Sequence, residues 1–255
     1  MTSNTVAVRM IRQDLIYSIM LLTRLPIPQQ LQDSQDRKAQ SVWAFPIVGL
    51  LVGGLAALLA SLTLALGIPV EIVAGFVLAV QIIITGAMHE DGLADTADGF
   101  WGGYDRETRL LIMADSKIGA FGIIAIVLAI GLRWAALVII LNESVWPILA
   151  VAALSRSGLP ALMTFLPNVR VGGLSASLGK PSIAVTVLAA ILGFLSASLT
   201  VGVYSIYLAA ITTASLSIVA AIANHKIGGQ TGDVLGAGQQ VSEIVCLVVV
   251  AAYLI

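Results

Sequence analysis

The sequence predicts an all-α integral membrane protein, a polytopic bundle of six or seven transmembrane helices with an N-terminal amphipathic interfacial helix. Of its 255 residues, 58% are hydrophobic and only 11% are charged, whereas soluble domains are about 45–50% apolar and about 25% charged. The mean hydropathy is +1.00. The apolar residues form continuous runs, most of them close to the ~20 residues that cross a bilayer as a helix. Transmembrane β-strands would instead alternate apolar and polar residues.

The first forty residues, about 1–40, are expected to lie at the membrane surface. Asp14 and Tyr17 interrupt the apolar stretch there and no small-residue cleavage site follows it, so a signal peptide is not expected. Residues 26–40 have the composition of a polar linker. Apolar side chains recur at the spacing of an amphipathic helix, at Ile11, Leu15, Ile19 and Leu22.

Seven apolar runs follow, and together with the N-terminal segment they are expected to form a single membrane domain over residues 1–255. The fourth run is interrupted by Ser155–Gly158 and Pro160. The last has only 15 residues, so it is tilted, extended at its start or merely inserted, which leaves the number of spans at six or seven. The runs are Trp43–Leu66, Pro69–Met88, Ala120–Leu141, Val145–Leu166, Pro181–Leu199, Val201–Ala223 and Val241–Ile255.

Positive charge is confined to one side of the predicted membrane. If the runs alternate across the bilayer, the N-terminal region and loops 89–119, 167–180 and 224–240 share a side with eleven Lys and Arg residues, and the opposite turns have none. Because Lys and Arg concentrate in cytoplasmic loops, we expect a multi-pass protein of the cell inner membrane with its N-terminus and these loops in the cytoplasm. The eleven are Arg9, Arg12, Arg24, Arg37, Lys38, Arg106, Arg109, Lys117, Arg170, Lys180 and Lys226.

The overall charge excludes one class of partner. The net charge is −1, so there is no basic excess of the kind that holds nucleic acid, and no nucleic-acid partner is expected. The lipid bilayer is the expected environment. The sequence leaves open whether the chain forms a homo-oligomer.

Half of the acidic residues, seven of fourteen, lie between Glu90 and Asp115. Asp91, Asp95 and Asp98 are spaced i, i+4, i+7, which places them within about 60° of one another on a helix. Three carboxylates on one stripe repel each other unless a cation lies between them. Carboxylate oxygens suit Mg²⁺ or Mn²⁺, so the stripe predicts a metal site beside a membrane span.

Further candidates lie on the same side of the membrane. Asp115 and Lys117 follow the stripe, and His89 precedes it as a candidate substrate-binding residue. Arg156, inside a span, and Arg170, in the next loop, are candidate phosphate ligands. The loop before Asp233 is rich in glycines whose backbone N–H groups could approach phosphate oxygens, namely Gly228, Gly229 and Gly232.

Carboxylates with a divalent cation, glycines and cationic side chains at a membrane face favour phosphoryl transfer. The chemistry is also that of the membrane CDP-alcohol phosphotransferases, although their full motif is absent, so another phosphotransferase of that type is an alternative. A cation transporter is a less favoured alternative, because transporters place ionisable groups near the bilayer midplane and these acids cluster in one loop.

Three motifs together resemble the cobalamin synthase family, the adenosylcobinamide-GDP ribazoletransferases. They are His89-Glu-Asp-Gly-Leu-Ala-Asp-Thr-Ala-Asp-Gly99, Met113-Ala-Asp-Ser-Lys-Ile-Gly-Ala-Phe-Gly122 and Gly229-Gln-Thr-Gly-Asp-Val-Leu-Gly-Ala237. The segments Leu22–Pro28 and Phe45–Gly49 also fit, so the resemblance spans nearly the whole chain.

The resemblance implies a reaction in which adenosylcobinamide-GDP and α-ribazole, or its 5′-phosphate, give adenosylcobalamin, or its 5′-phosphate, and GMP. It also implies Mg²⁺ as the cofactor. In the mechanism expected from the residues, Asp91, Asp95 and Asp98 hold one or two Mg²⁺, and Asp98 or Asp115 accepts a proton from the attacking hydroxyl. Charge on the phosphates would be stabilised by Lys117, Arg156 or Arg170. Asp233 would complete the metal shell or anchor the Gly228–Gly232 loop.

Overall fold

The computed structural model describes residues 3–27 and 37–254, and within these ranges all regular structure is helical. The one isolated β-bridge there joins Asn168 to Gln230. This confirms the predicted all-α class. The helices are α1 (Ser3–Leu22), α2 (Lys38–Ser41), α3 (Phe45–Ala65), α4 (Val70–Thr85), α5 (Met88–Gly102), α6 (Arg106–Ile112), α7 (Ala120–Leu141), α8 (Trp146–Ser157), α9 (Leu159–Phe165), α10 (Leu174–Leu178), α11 (Ile183–Val201), α12 (Ser205–Ile227) and α13 (Gly232–Val249), with a final π-helical turn at Val250–Leu254.

Five helical stretches among the described residues are long and apolar enough to cross a membrane, or six if the bent pair α4 and α5 counts as one span. One of the five, Ile183–Ile227, is 45 residues long and would extend about 68 Å if it were straight. It is instead broken at Gly202, whose φ of +60° separates α11 from α12, so the chain passes through the bundle twice there. The result agrees with the six to seven spans that the sequence predicts.

The ends of two predicted elements shift in the structure. Residues 232–240 were expected in a loop, but α13 already begins at Gly232, and the last span therefore covers Gly232–Tyr253. Of the three alternatives for that run, extension at its start is the one observed. The predicted interruption at Ser155–Pro160 is only a short turn between α8 and α9.

The α8–α9 span and α13 form the centre of the bundle. In the most apolar part of α8–α9 78% of the residues are buried, against 28% in α7. The outer helices turn large apolar side chains such as Val127 and Ile139 outward, which is the surface expected against lipid tails. At the centre, α3 and α8 pack closely because Gly49 has no side chain: a Cβ there would lie 2.2 Å from the carbonyl oxygen of Ala152.

Helix α1 forms as predicted, but a polar face packs it against the bundle. Asp14 is 3% exposed, and its carboxylate accepts hydrogen bonds from the guanidinium of Arg37, at 3.0 Å, and from Nε1 of Trp43, at 2.9 Å. The hydroxyl of Ser18 donates to the carbonyl oxygen of Ser41. The apolar Ile11 is half exposed, as expected for a side chain directed toward a lipid interface.

A buried ion network joins α5, α7, α8 and α13. Nη1 of Arg133 lies 2.8 Å from Oε1 of Glu90, and its Nη2 lies 2.7 Å from Oε1 of Glu243. Glu243 also lies 3.7 Å from Nη1 of Arg156, and the side chain of Gln240 hydrogen-bonds both Glu90 and Arg133. Two positive and two negative charges thus compensate one another inside the bundle, which burial at these depths requires.

Candidate active site

A sharp bend places the polar helix α5 at one end of the bundle. The axes of α4 and α5 differ by 87°. The bend uses two left-handed residues, Gly86 (φ +65°) and Ala87 (φ +56°). A side chain at Gly86 would also collide with Arg24, whose Nε would be 2.5 Å from its Cβ. Four acids lie in the 15 residues of α5, a density of charge that places this helix outside the membrane-spanning segments.

Two glycines bring the acidic helix against the start of α13. A Cβ on Gly92 would lie 2.8 Å from the carbonyl oxygen of Asp233, and a Cβ on Gly236 would lie 3.2 Å from the Cα of Gly92. The two backbones therefore approach as closely as glycine allows. This contact places Asp91 and Asp95 beside Asp233, although α5 and α13 lie far apart in the sequence.

Substituting Gly92 by Ala is therefore expected to separate α5 from α13 and to lower turnover at least tenfold, because a shift of about 1 Å in a catalytic group can cost about 100-fold. The matched control is Gly54→Ala, since a Cβ at Gly54 meets nothing within 4 Å. Steady-state turnover in the purified variants measures the effect. Equal turnover in the two variants would show that the close contact does not position the acids.

The acidic side chains line a cleft of about 450 Å³ between α5, α7 and the turn after α6. Asp91, Asp95 and Asp115 contribute carboxylates to it, and Arg170 reaches in from loop 167–180. The pKa of Asp95 is raised to about 7, first by partial burial and then by the negative charges of Asp233 and Asp91. The cleft therefore concentrates negative charge that a bound cation would relieve. We call it the acidic cleft.

Arg170 connects the acidic cleft to α13. Its Nη1 lies 2.7 Å from Oδ2 of Asp233, and Asp233 also accepts a hydrogen bond from the hydroxyl of Thr231. Gln230 holds the loop that carries Arg170, because it forms the bridge to Asn168 and accepts a hydrogen bond of 2.8 Å from Ser175. The predicted catalytic loops 89–119, 167–180 and 224–240 thus meet at one end of the bundle.

Asp98 does not line the acidic cleft, although its charge contributes to the raised pKa of Asp95. Its carboxylate accepts hydrogen bonds from the backbone N–H of Gly119, at 2.7 Å, and of Gly122, at 2.9 Å, and so caps the N-terminus of α7. A Cβ on Gly122 would lie 2.3 Å from that carboxylate, which explains why glycine stands there. The sequence predicted metal binding or proton transfer for Asp98, and the position found instead satisfies the first orphan donors of a helix.

Three other residues that the sequence predicts to contact phosphate or substrate have no side-chain contact with the acidic cleft in the structure. Arg156 is 2% exposed and is engaged in the buried ion network, so it does not line the acidic cleft and cannot contact a phosphate there without rearrangement. Lys117 is exposed, and its backbone N–H, rather than its ammonium group, contacts Asp115. His89 is 2% exposed and lines a neighbouring apolar cavity.

The glycines of the last loop have local structural reasons rather than an open phosphate cradle. Gly228 ends α12 in the left-handed conformation (φ +77°). Gly229 is buried against the preceding loop, since its Cβ would lie 2.1 Å from the carbonyl oxygen of Pro167. Gly232 begins α13 and lines the same cavity as His89, a space that a substrate could enter.

The sequence interpretation missed Glu243 and the glutamines that surround it. A signal was present: Arg133 and Arg156 lie in apolar runs and need buried counter-charges, and Glu243 lies in an apolar run of its own. Which acid partners which arginine depends on helix packing and is not encoded in any local spacing.

The residues of the acidic cleft fit a metal ion that is bound jointly by the protein and the substrate, rather than one enclosed by protein ligands alone. Within residues 3–27 and 37–254, no three His, Cys, Asp or Glu side chains are grouped closely enough to hold an ion by themselves. Mg²⁺ is usually bound by one or two carboxylates together with substrate phosphate and water. Asp91 and Asp95, one helical turn apart on the acidic cleft, are of the right chemistry for that arrangement, whereas the carboxylate of Asp98 caps α7.

Comparison with known proteins identifies relatives along nearly the whole chain. The family model described as cobalamin-5-phosphate synthase matches residues 14–251. A protein of Bradyrhizobium diazoefficiens is 41% identical over 257 residues, which cover 99% of this chain and 98% of that protein. A Sinorhizobium protein is 39% identical over 92% of this chain and 94% of its own length, and one of Mesorhizobium japonicum is 38% identical over 98% and 97%. All three carry the name adenosylcobinamide-GDP ribazoletransferase. No solved structure gives a significant match.

Proposed function

The chain belongs to the cobalamin-5-phosphate synthase family, and from this premise we propose that it is an adenosylcobinamide-GDP ribazoletransferase. It joins α-ribazole, or its 5′-phosphate, to the phosphocobinamide part of adenosylcobinamide-GDP and releases GMP. The observation that carries the proposal is the acidic cleft, where Asp91 and Asp95 of α5, Asp115 of the turn after α6 and Arg170 of loop 167–180 converge. Such a set of side chains suits the transfer of a phosphoryl group between two bound substrates.

In the proposed mechanism, Asp91 and Asp95 would hold Mg²⁺, which would neutralise negative charge on the pyrophosphate. Arg170 donates hydrogen bonds to phosphate oxygens; within residues 3–27 and 37–254 its Nη2 has no hydrogen-bond partner and is therefore available for one. The ribose hydroxyl of α-ribazole attacks the phosphorus attached to cobinamide, a new P–O bond forms, and the bond to the GMP oxygen breaks. Asp233 keeps Arg170 in place through their 2.7 Å ion pair.

The proton of the attacking hydroxyl passes to a carboxylate in this mechanism, and Asp115 is the better placed of the two predicted bases. Asp115 is exposed and borders the acidic cleft. Both oxygens of Asp98 already accept backbone hydrogen bonds, which hold its carboxylate at the start of α7.

The activity is tested directly with purified protein in detergent, adenosylcobinamide-GDP and α-ribazole 5′-phosphate, with and without Mg²⁺. We expect GMP and the corrinoid product to form in equal amounts and only with the metal. If folded protein forms neither, the proposed reaction is wrong, and transfer of a phosphoalcohol to lipid becomes the next reaction to assay. Product formed equally well after removal of divalent ions by chelation would contradict the role of Mg²⁺.

We also propose that the protein lies in the inner membrane with the acidic cleft on the cytoplasmic side. The support is that the eleven Lys and Arg residues outside the apolar runs all belong to segments predicted on the same side as the cleft. Two exposed glutamates at opposite ends provide matched probes, Glu107 on α6 and Glu143 after α7. An impermeant maleimide should label Glu143→Cys in intact spheroplasts and Glu107→Cys only after lysis. The reverse pattern would invert the topology.

A further inference from the structure

A second cavity, of about 230 Å³, lies beside the acidic cleft and shares Asp91 and Arg170 with it. Helices α3, α5, α9, α10 and α13 and the end of α1 enclose it. We call it the apolar cavity. Its walls are built mainly of hydrophobic side chains, among them Leu22, Phe45, Leu159, Leu174, Leu178 and Leu235.

His89 supplies a polar group to this apolar wall. Its side chain is 2% exposed, it lines the apolar cavity, and its buried Nε2 has no hydrogen-bond partner among the residues that the structure describes. Leaving such a nitrogen unpaired costs free energy. None of the contacts that hold α5 to α13 uses it. The ring is therefore in place to bond something that enters the apolar cavity.

We propose that the apolar cavity binds the aromatic heterocyclic base of the nucleoside substrate, with Nε2 of His89 hydrogen-bonded to the unsubstituted ring nitrogen of that base. The inference rests on the proposed function and assigns one substrate to one side of the site. It leaves the acidic cleft for the pyrophosphate of the second substrate.

The chemistry of the three large substrate groups favours this assignment. A corrin ring is far too large for 230 Å³. Guanine carries several donors and acceptors, more than the mainly hydrophobic walls of the apolar cavity can pair. The base of α-ribazole is a flat, largely apolar bicycle with one free ring nitrogen, so a single buried hydrogen-bonding group on an apolar wall satisfies it.

The position of the apolar cavity also suits the reaction. Because Asp91 and Arg170 border both spaces, a ribose attached to a base in the apolar cavity lies at the entrance of the acidic cleft. Its hydroxyl would thus meet the phosphate groups where the carboxylates and Arg170 converge. Such positioning of two reactants is a main source of rate in group transfer.

The test measures binding of the nucleoside alone, without corrinoid, to the full-length protein in detergent by isothermal titration calorimetry with α-ribazole. His89→Leu replaces the imidazole ring by an apolar side chain of similar size and so removes Nε2. We expect its affinity for α-ribazole to fall about tenfold or more and its KM for α-ribazole to rise by a similar factor. The KM for adenosylcobinamide-GDP should stay unchanged. His225→Leu is the matched control, because His225 is exposed at the end of α12 and lies outside the apolar cavity.

A second variant tests the space rather than the hydrogen bond. Leu174 lies on the rim of the apolar cavity and is half exposed, so Leu174→Trp should fold and narrow the entrance, again weakening α-ribazole at least tenfold. The inference would be overturned if both variants bound α-ribazole as tightly as the wild type does, or if only the KM for the corrinoid rose. If the wild-type protein still forms product normally, the proposed function stands even though the inference about the apolar cavity fails. Wild-type protein that binds α-ribazole but forms no product would contradict the proposed function, and failure to bind it at all would overturn both.

Discussion

Asp95→Asn is expected to lower kcat/KM by about 1,000-fold or more while the protein still inserts and folds. The substitution keeps the shape of the side chain and removes one of the two carboxylates proposed to hold Mg²⁺. Stabilisation of transition-state charge by a metal ion amounts to several kcal/mol, and about 4 kcal/mol corresponds to a factor of 1,000. Formation of GMP under saturating Mg²⁺ is the measurement.

Asp95→Asn should not lower the stability of the folded protein. Burial and neighbouring carboxylates raise the pKa of Asp95 from 3.8 to about 7, so the folded state disfavours its charge relative to the unfolded chain. A neutral Asn therefore leaves the unfolding temperature equal to that of the wild type or slightly higher.

Glu143→Gln serves as the control, since Glu143 is exposed at the opposite end of α7 and should leave both turnover and stability unchanged. Near-normal turnover in Asp95→Asn would remove Asp95 from the site. Lost turnover accompanied by a lower unfolding temperature would mean that the acid stabilises the fold, contrary to the charge crowding in the acidic cleft.

The sequence predicts the acidic helix well because the relevant information is local. The i, i+4 spacing of Asp91 and Asp95 places both on one face of α5, and both line the acidic cleft. Their meeting with Arg170 also follows from sequence, since alternating spans bring the loops to one side of the membrane. Local spacing could not show that Asp98, next on the same stripe, would turn to the N–H groups of Gly119 and Gly122.

The structural role of a glycine is harder to predict from the sequence than that of an acidic residue. Glycines beside acidic residues are compatible with a phosphate-binding loop and equally with two helices in close contact. In this protein Gly92 and Gly236 serve the second purpose, and Gly229 packs against Pro167. The two cases differ only in what stands opposite the glycine, which is a property of the tertiary structure.

Glu243→Ala is expected to cause the largest loss of stability among single substitutions in the bundle. Glu243 is 2% exposed and lies between Arg133, at 2.7 Å, and Arg156, at 3.7 Å. Its removal leaves two buried arginines with Glu90 as their single acidic partner in the network. Breaking a buried pair by deleting one partner costs about 3–5 kcal/mol, which for a chain of this size lowers the unfolding temperature by roughly 10 °C. Thermal unfolding in detergent, followed by circular dichroism, measures it.

The charge explanation of this effect can be separated from loss of packing. Glu243→Gln retains the volume and one acceptor oxygen, so a loss nearly as large as that of the alanine variant identifies the missing carboxylate, and not lost packing, as the cause. Adding Arg156→Met to Glu243→Gln then removes the excess positive charge and leaves Arg133 paired with Glu90 at 2.8 Å. The double variant should recover at least half of the lost stability, because an apolar replacement of a buried ion pair is often close to neutral. A double variant less stable than Glu243→Gln would show that Arg156 stabilises α8 through its hydrogen bond to the carbonyl oxygen of Ala152 rather than through its charge.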